Sequence, residues 1–134
     1  MFNLMTWTNG LRNLNKDKMK HFKLTEFDSP DKPGSGKHMK KDFLVKLDKA
    51  REMAEIPFKI NSGFRTKEHN KKVGGSKQSS HLAGCAADIS ITNSKDRIVV
   101  VESLIKAGFK RLGIAEYFIH VDNDITKDDA IWLY

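Results

Sequence analysis

Two segments of this sequence carry the residue types of a metal site. His81 stands seven residues before Asp88, and His120 stands two residues before Asp122. A carboxylate at the start of an apolar strand, such as Asp88, is costly to bury without a partner, and strand alternation places His120 and Asp122 on one face. Two histidines and one carboxylate, with a fourth position left for water, are the composition of a catalytic zinc site. From residue types and spacing alone, a metal centre and hydrogen-bonded structural histidines are both open interpretations.

The single cysteine and the other three histidines limit which residues could be metal ligands. Cys85 is the single cysteine of these 134 residues, which excludes an internal disulfide and a zinc site of several cysteines. We expect it to be a small buried residue. His21 and His38 stand among lysines and His69 lies on a predicted short helix, so we expect surface or structural histidines there. Metal ligands must therefore come from the other two histidines and from carboxylates.

Hydrophobic periodicity and turn residues indicate the elements that must position these side chains. Three helices are predicted, over residues 41–55 before Pro57, over 66–73 with Thr66 as cap, and from the cap Ser94 to Gly108. Strands are predicted over residues 58–61, 86–91, 111–114, 118–122 and 131–133. Helices and strands alternate with short connections, which predicts an α+β domain with a small, mostly antiparallel sheet flanked by helices.

Length and composition limit the number of domains. The 134 residues are 39% hydrophobic and 31% charged, which fits one packed domain and leaves little room for a second. Residues 1–21 are weakly patterned, so we expect an N-terminal arm there and a single domain over residues 22–134. The aromatic tail over residues 131–134 is predicted to be a core strand.

The positive charge lies in one half of the chain. The net charge is +7, since residues 1–67 hold 15 Lys/Arg against 8 Asp/Glu while residues 68–134 hold 9 of each. A basic half attracts polyanions such as nucleic acid, an anionic envelope or a cell wall, although a solvated lysine-rich surface is equally compatible. The sequence contains neither a recognition helix nor an aromatic-basic sheet motif, so we expect no nucleic-acid partner.

Hydropathy bears on where the protein works. No apolar run approaches the ~20 residues that cross a bilayer, and residues 1–14 lack the basic head and apolar stretch of a secretory signal. We therefore expect a protein that is made in the cytoplasm and is not stably inserted in a membrane. Any work outside the cytoplasm would need another route of release.

One ten-residue segment has a pattern specific enough to compare with known proteins. It is Ser-x-His-x-x-Gly-x-Ala-x-Asp over residues 79–88, and it is followed by His-x-Asp over residues 120–122. The pattern resembles that of zinc peptidases that cut bacterial peptidoglycan, which include D-alanyl-D-alanine carboxypeptidases, vancomycin-resistance dipeptidases and L-alanyl-D-glutamate endopeptidases of phage lysis. Further matching segments stand in the same order over residues 22–27, 61–66, 68–70 and 73–75. The resemblance spans roughly residues 22–134 and implies the fold of this family, which the hedgehog signalling domain shares.

The resemblance assigns roles to individual residues. Carried over position by position, it implies that His81, Asp88 and His120 bind Zn²⁺. Two neutral imidazoles and one carboxylate would leave the site at a net charge of +1, enough to lower the pKa of a bound water toward ~7. Gly84 would allow the tight turn that brings the ligands together. Arg65 matches the family's arginine that faces the substrate carbonyl oxygen as it gains charge, with a surface salt bridge as the alternative.

The identity of the residue that accepts the proton of the attacking water is not assigned by the resemblance. Many family members place an acidic or basic residue three positions before the second histidine, where this chain has Tyr117. Glu116 and Asp122 share strand parity with His120, so each is a candidate catalytic base. Asp122 has the alternative role of orienting His120.

The expected activity follows from the resemblance. It implies a zinc metallopeptidase that hydrolyses stem or cross-bridge peptides of peptidoglycan, as a carboxypeptidase or an endopeptidase. By analogy with phage members, we expect a monomeric phage or prophage lysis enzyme that acts on the bacterial cell wall, in the periplasm or outside the cell, after release. A catalytically inactive, zinc-containing wall-binding or phage structural module is the alternative, and Tyr117 is the residue that supports it.

Overall fold

The computed structural model describes residues 19–134, and within this range the chain forms an α+β fold. The helices are α1 (Lys41–Ala54), α2 (Lys67–Lys72) and α3 (Ser94–Lys106). The strands are β1 (Ile60–Ser62), β2 (Ala86–Ser90), β3 (Arg111–Ile114), β4 (Phe118–Asp122) and β5 (Ala130–Leu133). The predicted fold class is confirmed. The predicted arm over residues 1–21 falls almost wholly outside the described residues, so its boundary with the domain stays a prediction.

One open sheet contains the five strands in the order β1-β2-β4-β3-β5. The pairs β1–β2, β2–β4 and β3–β4 are antiparallel, whereas β3 and β5 run parallel. The sheet is therefore mixed but mostly antiparallel, in agreement with the prediction. Because β2 and β4 lie at its centre, side chains from these two strands meet without help from a long loop.

Helix α1 forms because apolar residues recur at helical spacing in a segment without proline or glycine. The chain leaves the helix at Glu55, two residues before Pro57, since the residue before a proline disfavours helical geometry. None of the helices between residues 19 and 134 is long and apolar enough to cross a bilayer.

The caps of the other two helices are side-chain oxygens. Thr66 caps α2 as predicted, because its Oγ1 accepts a hydrogen bond from the backbone N–H of His69 at 3.1 Å. The cap of α3 is Asn93 and not the predicted Ser94, because Asn93 Oδ1 accepts the N–H of Asp96 at 2.7 Å. The prediction was one residue off since both residue types cap helices well.

Strand alternation gives the sheet two chemically different faces. We call the apolar one the packed face, because it belongs to the same buried core as residues of α1 and α3. Its core members are Ala87, Ile89, Leu112, Ile119 and Val121, with Leu44, Leu47, Ala50, Val100 and Leu104 from the helices. We call the other one the open face. The strand register aligns Asp88, His120, Gly113 and Trp132 in one row across it.

The tail strand β5 is confirmed as a strand, but it lies at the edge of the sheet and not in the core as predicted. Ile131 and Leu133 are 61% and 80% exposed although the strand pairs with β3 along its length. Apolar composition suggested burial, yet a strand at the edge has a neighbour on one side only. The alternate side chains, Trp132 and Tyr134, belong to the open face.

Candidate metal centre

The three predicted metal ligands converge on one point of the open face. His81, Asp88 and His120 each offer one ligand atom, and these atoms all lie within 4.8 Å of one another. Asp88 Oδ1 is 3.0 Å from His120 Nδ1 and 3.3 Å from His81 Nε2. Ligands about 2.0–2.2 Å from a tetrahedral zinc ion lie roughly 3.3–3.5 Å apart, so these two separations are close to those of ligands that share a single ion.

The sheet and one turn bring these residues together. Asp88 and His120 face each other directly as register partners of β2 and β4. His81 comes from the turn before β2, which reverses at Gly84 with a φ of +73°. A side chain at Gly84 would place its Cβ 2.3 Å from the backbone oxygen of His38, so the turn requires glycine there. The role predicted for Gly84 is therefore confirmed.

Each histidine ring is oriented by a hydrogen bond on its outer nitrogen. His81 Nδ1 lies 2.8 Å from the carbonyl oxygen of Gly63, and since a carbonyl only accepts, this nitrogen carries the hydrogen. His120 Nε2 donates in the same way to Asp122 Oδ2 at 2.7 Å. His81 Nε2 and His120 Nδ1 are then the ring nitrogens that face Asp88. This is the arrangement in which metal-binding histidines are held, and the sequence did not identify either acceptor.

The charge states of the site suit a cation. Burial alone raises the pKa of Asp88, but hydrogen bonds from the rings of His120 and His81 outweigh it and hold this pKa well below the ordinary value. Burial also opposes ionisation of Asp122, and again the bond to His120 keeps its pKa lowered. The pKa of His120 is raised by Asp122 and Asp88 against the effect of burial. Both carboxylates are therefore ionised near neutral pH.

Asp122 is held from three sides. Besides the bond to His120, its Oδ1 accepts hydrogen bonds from Arg111 Nε at 2.7 Å and from the backbone N–H of Asp124 at 3.1 Å. The residue is 1% exposed. Arg111 was not identified from the sequence, because only the register of β3 against β4 places it opposite Asp122. In this geometry Asp122 orients the ring of His120.

Arg65 lies beside the ligands and is not a surface salt bridge. One of its terminal nitrogens is 3.5 Å from Asp88 Oδ2, and its side chain is 15% exposed. Its Nε donates to Ser62 Oγ at 3.0 Å and its other terminal nitrogen to Asn70 Oδ1 at 3.3 Å. These bonds fix the guanidinium at the edge of the cluster of ligands, next to β1.

The other candidate base lies elsewhere. Glu116 stands in the turn between β3 and β4, where it is exposed, and its backbone oxygen accepts a hydrogen bond from Arg97. Because the residue lies outside the strand, its predicted parity with His120 does not apply. Tyr117 beside it is 67% exposed. The structure thus brings Arg65 and Asp122 to the three ligands but does not bring Glu116 there.

A cavity of about 370 Å³ opens over the ligands. Arg65 and Lys127 contribute to its polar lining, whereas Phe118, Trp132 and Tyr134 contribute aromatic side chains. The aromatic lining was not identified from the sequence, since the tail was expected in the core. Polar groups that converge beside an apolar wall are typical of a ligand-binding pocket.

The comparisons with known proteins agree with this geometry. The family model of peptidase M15 matches residues 13–122, which is more than four-fifths of the chain and includes the three ligands, Arg65 and Asp122. The comparison with individual curated proteins gives no match. The ligands converge in space as the sequence motif predicted, and the family model matches most of the domain. Both findings point to the same conclusion. The chain belongs to peptidase family M15, the family of zinc peptidases of the D-alanyl-D-alanine carboxypeptidase type.

Proposed function

We propose that this protein is a zinc-dependent peptidase that hydrolyses stem or cross-bridge peptides of bacterial peptidoglycan. The observation that carries the proposal is the orientation of the two histidine rings. Each has one nitrogen satisfied by an outer acceptor and the other directed at Asp88. Membership of a peptidase family supports the reaction type.

His81, Asp88 and His120 are the residues that would hold the ion. Bound there, zinc would supply Lewis-acid chemistry, which polarises a carbonyl group and lowers the pKa of water toward ~7. The outer hydrogen bonds to Gly63 and Asp122 keep both rings in the tautomer that this requires. The chain's own contribution is therefore a preformed donor set.

Arg65 would stabilise the charge that develops on the substrate carbonyl oxygen. Its guanidinium is already fixed beside Asp88 by bonds to Ser62 and Asn70, so it needs no reorganisation during the reaction. A preorganised donor at such a position typically contributes about 2.7–4 kcal/mol to lowering the barrier. The planar fork of arginine suits this role better than the point charge of lysine.

Asp122 and Glu116 are the two candidates for moving the proton of the attacking water. Asp122 lines the cavity, whereas Glu116 is exposed in the neighbouring turn. Separate Asp122→Asn and Glu116→Gln variants distinguish them, because loss of the base abolishes turnover while zinc stays bound. If Asp122→Asn mainly weakens zinc binding, its role is to orient His120 and not to accept the proton.

The bacterial cell wall is the proposed target, reached after release from the cytoplasm, with a role in phage lysis by analogy with phage members of the family. The basic surface supports this target. Lys67, Lys71 and Lys72 of α2 are exposed, and the chain that follows this helix contributes Gly75 to the lining of the cavity. Carboxylates and phosphates of a cell wall are attracted to such a surface.

A zinc-containing module without peptidase activity is the second candidate. One observation favours it: among the described residues that line the cavity, the carboxylates are Asp88 and Asp122, and both already have partners. The position three residues before His120, where many family members have a titratable group, is Tyr117. Such a module would bind zinc and peptidoglycan fragments and release no product.

Mass spectrometry of purified peptidoglycan fragments tests the proposal. The fragments are incubated with the zinc-loaded protein, with the chelated protein, and with the chelated protein after zinc is restored. New products that disappear with chelator and return with zinc establish the peptidase, and their masses identify the bond that is cut. A folded, zinc-loaded protein that yields no products would overturn the proposal in favour of the inactive module.

A further inference from the structure

Two segments that are far apart in the chain meet beside the cavity over the ligands. One is the turn before β2 that carries His81, and the other is the segment 123–127 that directly follows β4. Ser80 of the first segment and Lys127 of the second both line the cavity. The family match ends at residue 122, so the second segment lies outside the part of the chain on which the family assignment rests.

His81 is the candidate ligand whose position the sheet does not fix. Asp88 and His120 are register partners on the two central strands, so strand pairing alone sets their relative position. His81 lies in the turn before β2 and therefore outside the sheet. Its ring bonds Gly63 and its backbone oxygen accepts the N–H of Arg65 at 3.2 Å, which holds the turn toward the end of β1. The contacts with the segment after β4 hold the turn from another side.

The side chain of Ser80, the residue before His81, is bonded to Asp124. Its hydroxyl donates to Asp124 Oδ2 at 2.7 Å, and Ser80 is only 3% exposed. The backbone N–H of Asp124 donates in turn to Asp122 Oδ1 at 3.1 Å, and Asp122 is the partner of His120. Asp124 therefore bonds both the residue next to His81 and the residue that orients His120.

Asp124 is itself fixed by the turn that it begins. Its Oδ1 accepts hydrogen bonds from the backbone N–H of Thr126 at 3.0 Å and from the hydroxyl of Thr126 at 2.6 Å. Burial opposes ionisation of Asp124, but the hydrogen bonds from Thr126 and Ser80 outweigh it and lower its pKa to about 2. The carboxylate is thus charged near neutral pH, and hydrogen bonds to a charged acceptor are the stronger ones.

Lys127 completes the contact between the two segments. Its Nζ donates to the carbonyl oxygen of Gln78 at 2.8 Å and to Ser80 Oγ at 2.9 Å, and it lies 3.5 Å from Asp124 Oδ2. These three acceptors match the three hydrogens of an ammonium group, and the hydroxyl of Ser80 both donates and accepts. Although Lys127 lines the cavity, its donors are thus directed at the chain itself.

We propose that Ser80, Asp124 and Lys127, which we call the clasp, position His81 so that the three candidate ligands are held together before an ion binds. The clasp acts through its bonds to the neighbours of His81 and His120, so its members are positioning residues and not ligands. This inference rests on the proposed function, because it takes the three ligands to bind zinc. Outer partners that orient a metal ligand typically contribute about 10–100-fold to metal affinity.

The Lys127→Met variant tests the clasp through the sign of its effect. A cation beside the site repels Zn²⁺, so loss of this charge alone would tighten zinc binding. If the clasp positions His81, the variant should instead bind zinc about 10–100-fold more weakly. Competition with a chromophoric chelator measures the affinity, and Lys77→Met, which removes an exposed lysine four residues before His81, is the matched control. Binding by Lys127→Met that equals the control or is tighter would overturn the inference.

The Ser80→Ala variant tests the same contact without a change of charge. It should weaken zinc binding in the same range, and it keeps the inference testable if Lys127→Met folds poorly. The double variant should bind zinc no more weakly than the weaker single variant, because both changes open one clasp. The visible spectrum of bound Co²⁺, which depends on ligand geometry, should change in both single variants and not in Lys77→Met. Fully additive losses of affinity would contradict a single clasp.

Urea denaturation of the chelated proteins separates positioning from mere support of the fold. A clasp variant that is less stable than the control but binds zinc equally well while folded would overturn the inference. None of these measurements requires a cleaved peptide, so the proposed function can fail separately. Clasp-dependent zinc binding without cleavage supports the clasp and contradicts the peptidase, whereas cleavage with unchanged zinc affinity in the variants contradicts the clasp alone. A wild-type protein that binds no zinc contradicts both.

Discussion

Neighbouring side chains on the two faces of β4 are almost equally buried but are held by different forces. On the packed face, Ile119 and Val121 are fully buried among the apolar residues of the core. On the open face of the same strand, His120 and Asp122 are 7% and 1% exposed. The contrast shows that burial alone does not distinguish a site from a core. What distinguishes them is whether the buried groups need partners.

This difference in partners has an energetic consequence. Apolar side chains are stabilised by removal from water, and they tolerate exchange for others of similar volume. Buried charges are stabilised only through their hydrogen bonds and ion pairs, so removal of one partner leaves an uncompensated charge. Asp122 depends in this way on His120 and Arg111. We therefore expect substitutions on the open face to affect zinc binding and rate as well as stability, and those on the packed face to affect stability alone.

Neighbouring residues of β4 give the largest expected contrast. His120→Ala removes a ligand, so zinc binding and peptidase activity should be lost while the protein stays folded. Ile119→Ala removes a buried side chain from the packed face and should lower the free energy of unfolding by about 2–5 kcal/mol with zinc binding retained. Equilibrium dialysis with zinc and urea denaturation measure the two effects. Loss of zinc binding in Ile119→Ala at a temperature where it is folded would contradict this separation.

Arg65→Lys should have the next largest effect. The variant keeps a positive charge near Asp88 but loses the planar fork that bonds Ser62 and Asn70. We expect it to fold and bind zinc, with kcat lowered by about 10²–10³-fold. Steady-state kinetics and zinc stoichiometry measure this. An unchanged kcat would remove Arg65 from the mechanism.

Arg111→Gln tests a residue that would not contact the ion itself but that bonds Asp122, the partner of His120. Without the guanidinium, Asp122 loses the ion pair that helps to fix the ring of His120. Changes to such outer partners typically weaken metal affinity by about 10–100-fold. Chelator competition measures the affinity, and Arg97→Gln is the matched control, because Arg97 of α3 bonds the backbone oxygen of Glu116 and not a candidate ligand. Equal affinities in the two variants would show that the three-sided hold on Asp122 is not needed.

Cys85, the residue before β2, provides the smallest test. Burial, with a further contribution from Asp124, raises the pKa of its thiol to about 11. An unfolded cysteine has a pKa of about 8.5, so at pH 8 the native protein should hold less thiolate by roughly two orders of magnitude. Iodoacetamide should therefore label native protein far more slowly than protein in urea. Similar rates would mean that the segment just before β2 is open to solvent.

The pattern of neighbouring residues in the sequence was enough to predict most of the helices and strands and the three candidate ligands. Strands β3 and β4 and the start of β2 lie where hydrophobic alternation predicted them, and α1 matches its predicted span within one residue. These elements could be predicted because hydrophobic periodicity depends only on residues that are close together in the sequence. The spaced motif of His81 and Asp88 with the distant His120 identified the residues that converge.

The register in which β3 pairs with β4 could not be predicted from the sequence. A hairpin with the three-residue connection 115–117 would pair Ile114 with Phe118, whereas the structure pairs Ile114 with Ile119. A shift of one residue exchanges the faces on which opposing side chains meet. Only the observed register places Arg111 opposite Asp122. The same register brings Gly113 level with His120.

The sequence by itself determined the class of the fold, the three ligand candidates and the family, because each depends on residue types at short or repeated spacing. The tertiary structure alone decided which acceptor holds each histidine ring, that Asp122 is held by Arg111, and that Trp132 faces the ligands from an edge strand. These contacts join segments far apart in the chain. Their geometry is set by packing and strand pairing over the whole sheet, to which no single segment of sequence corresponds.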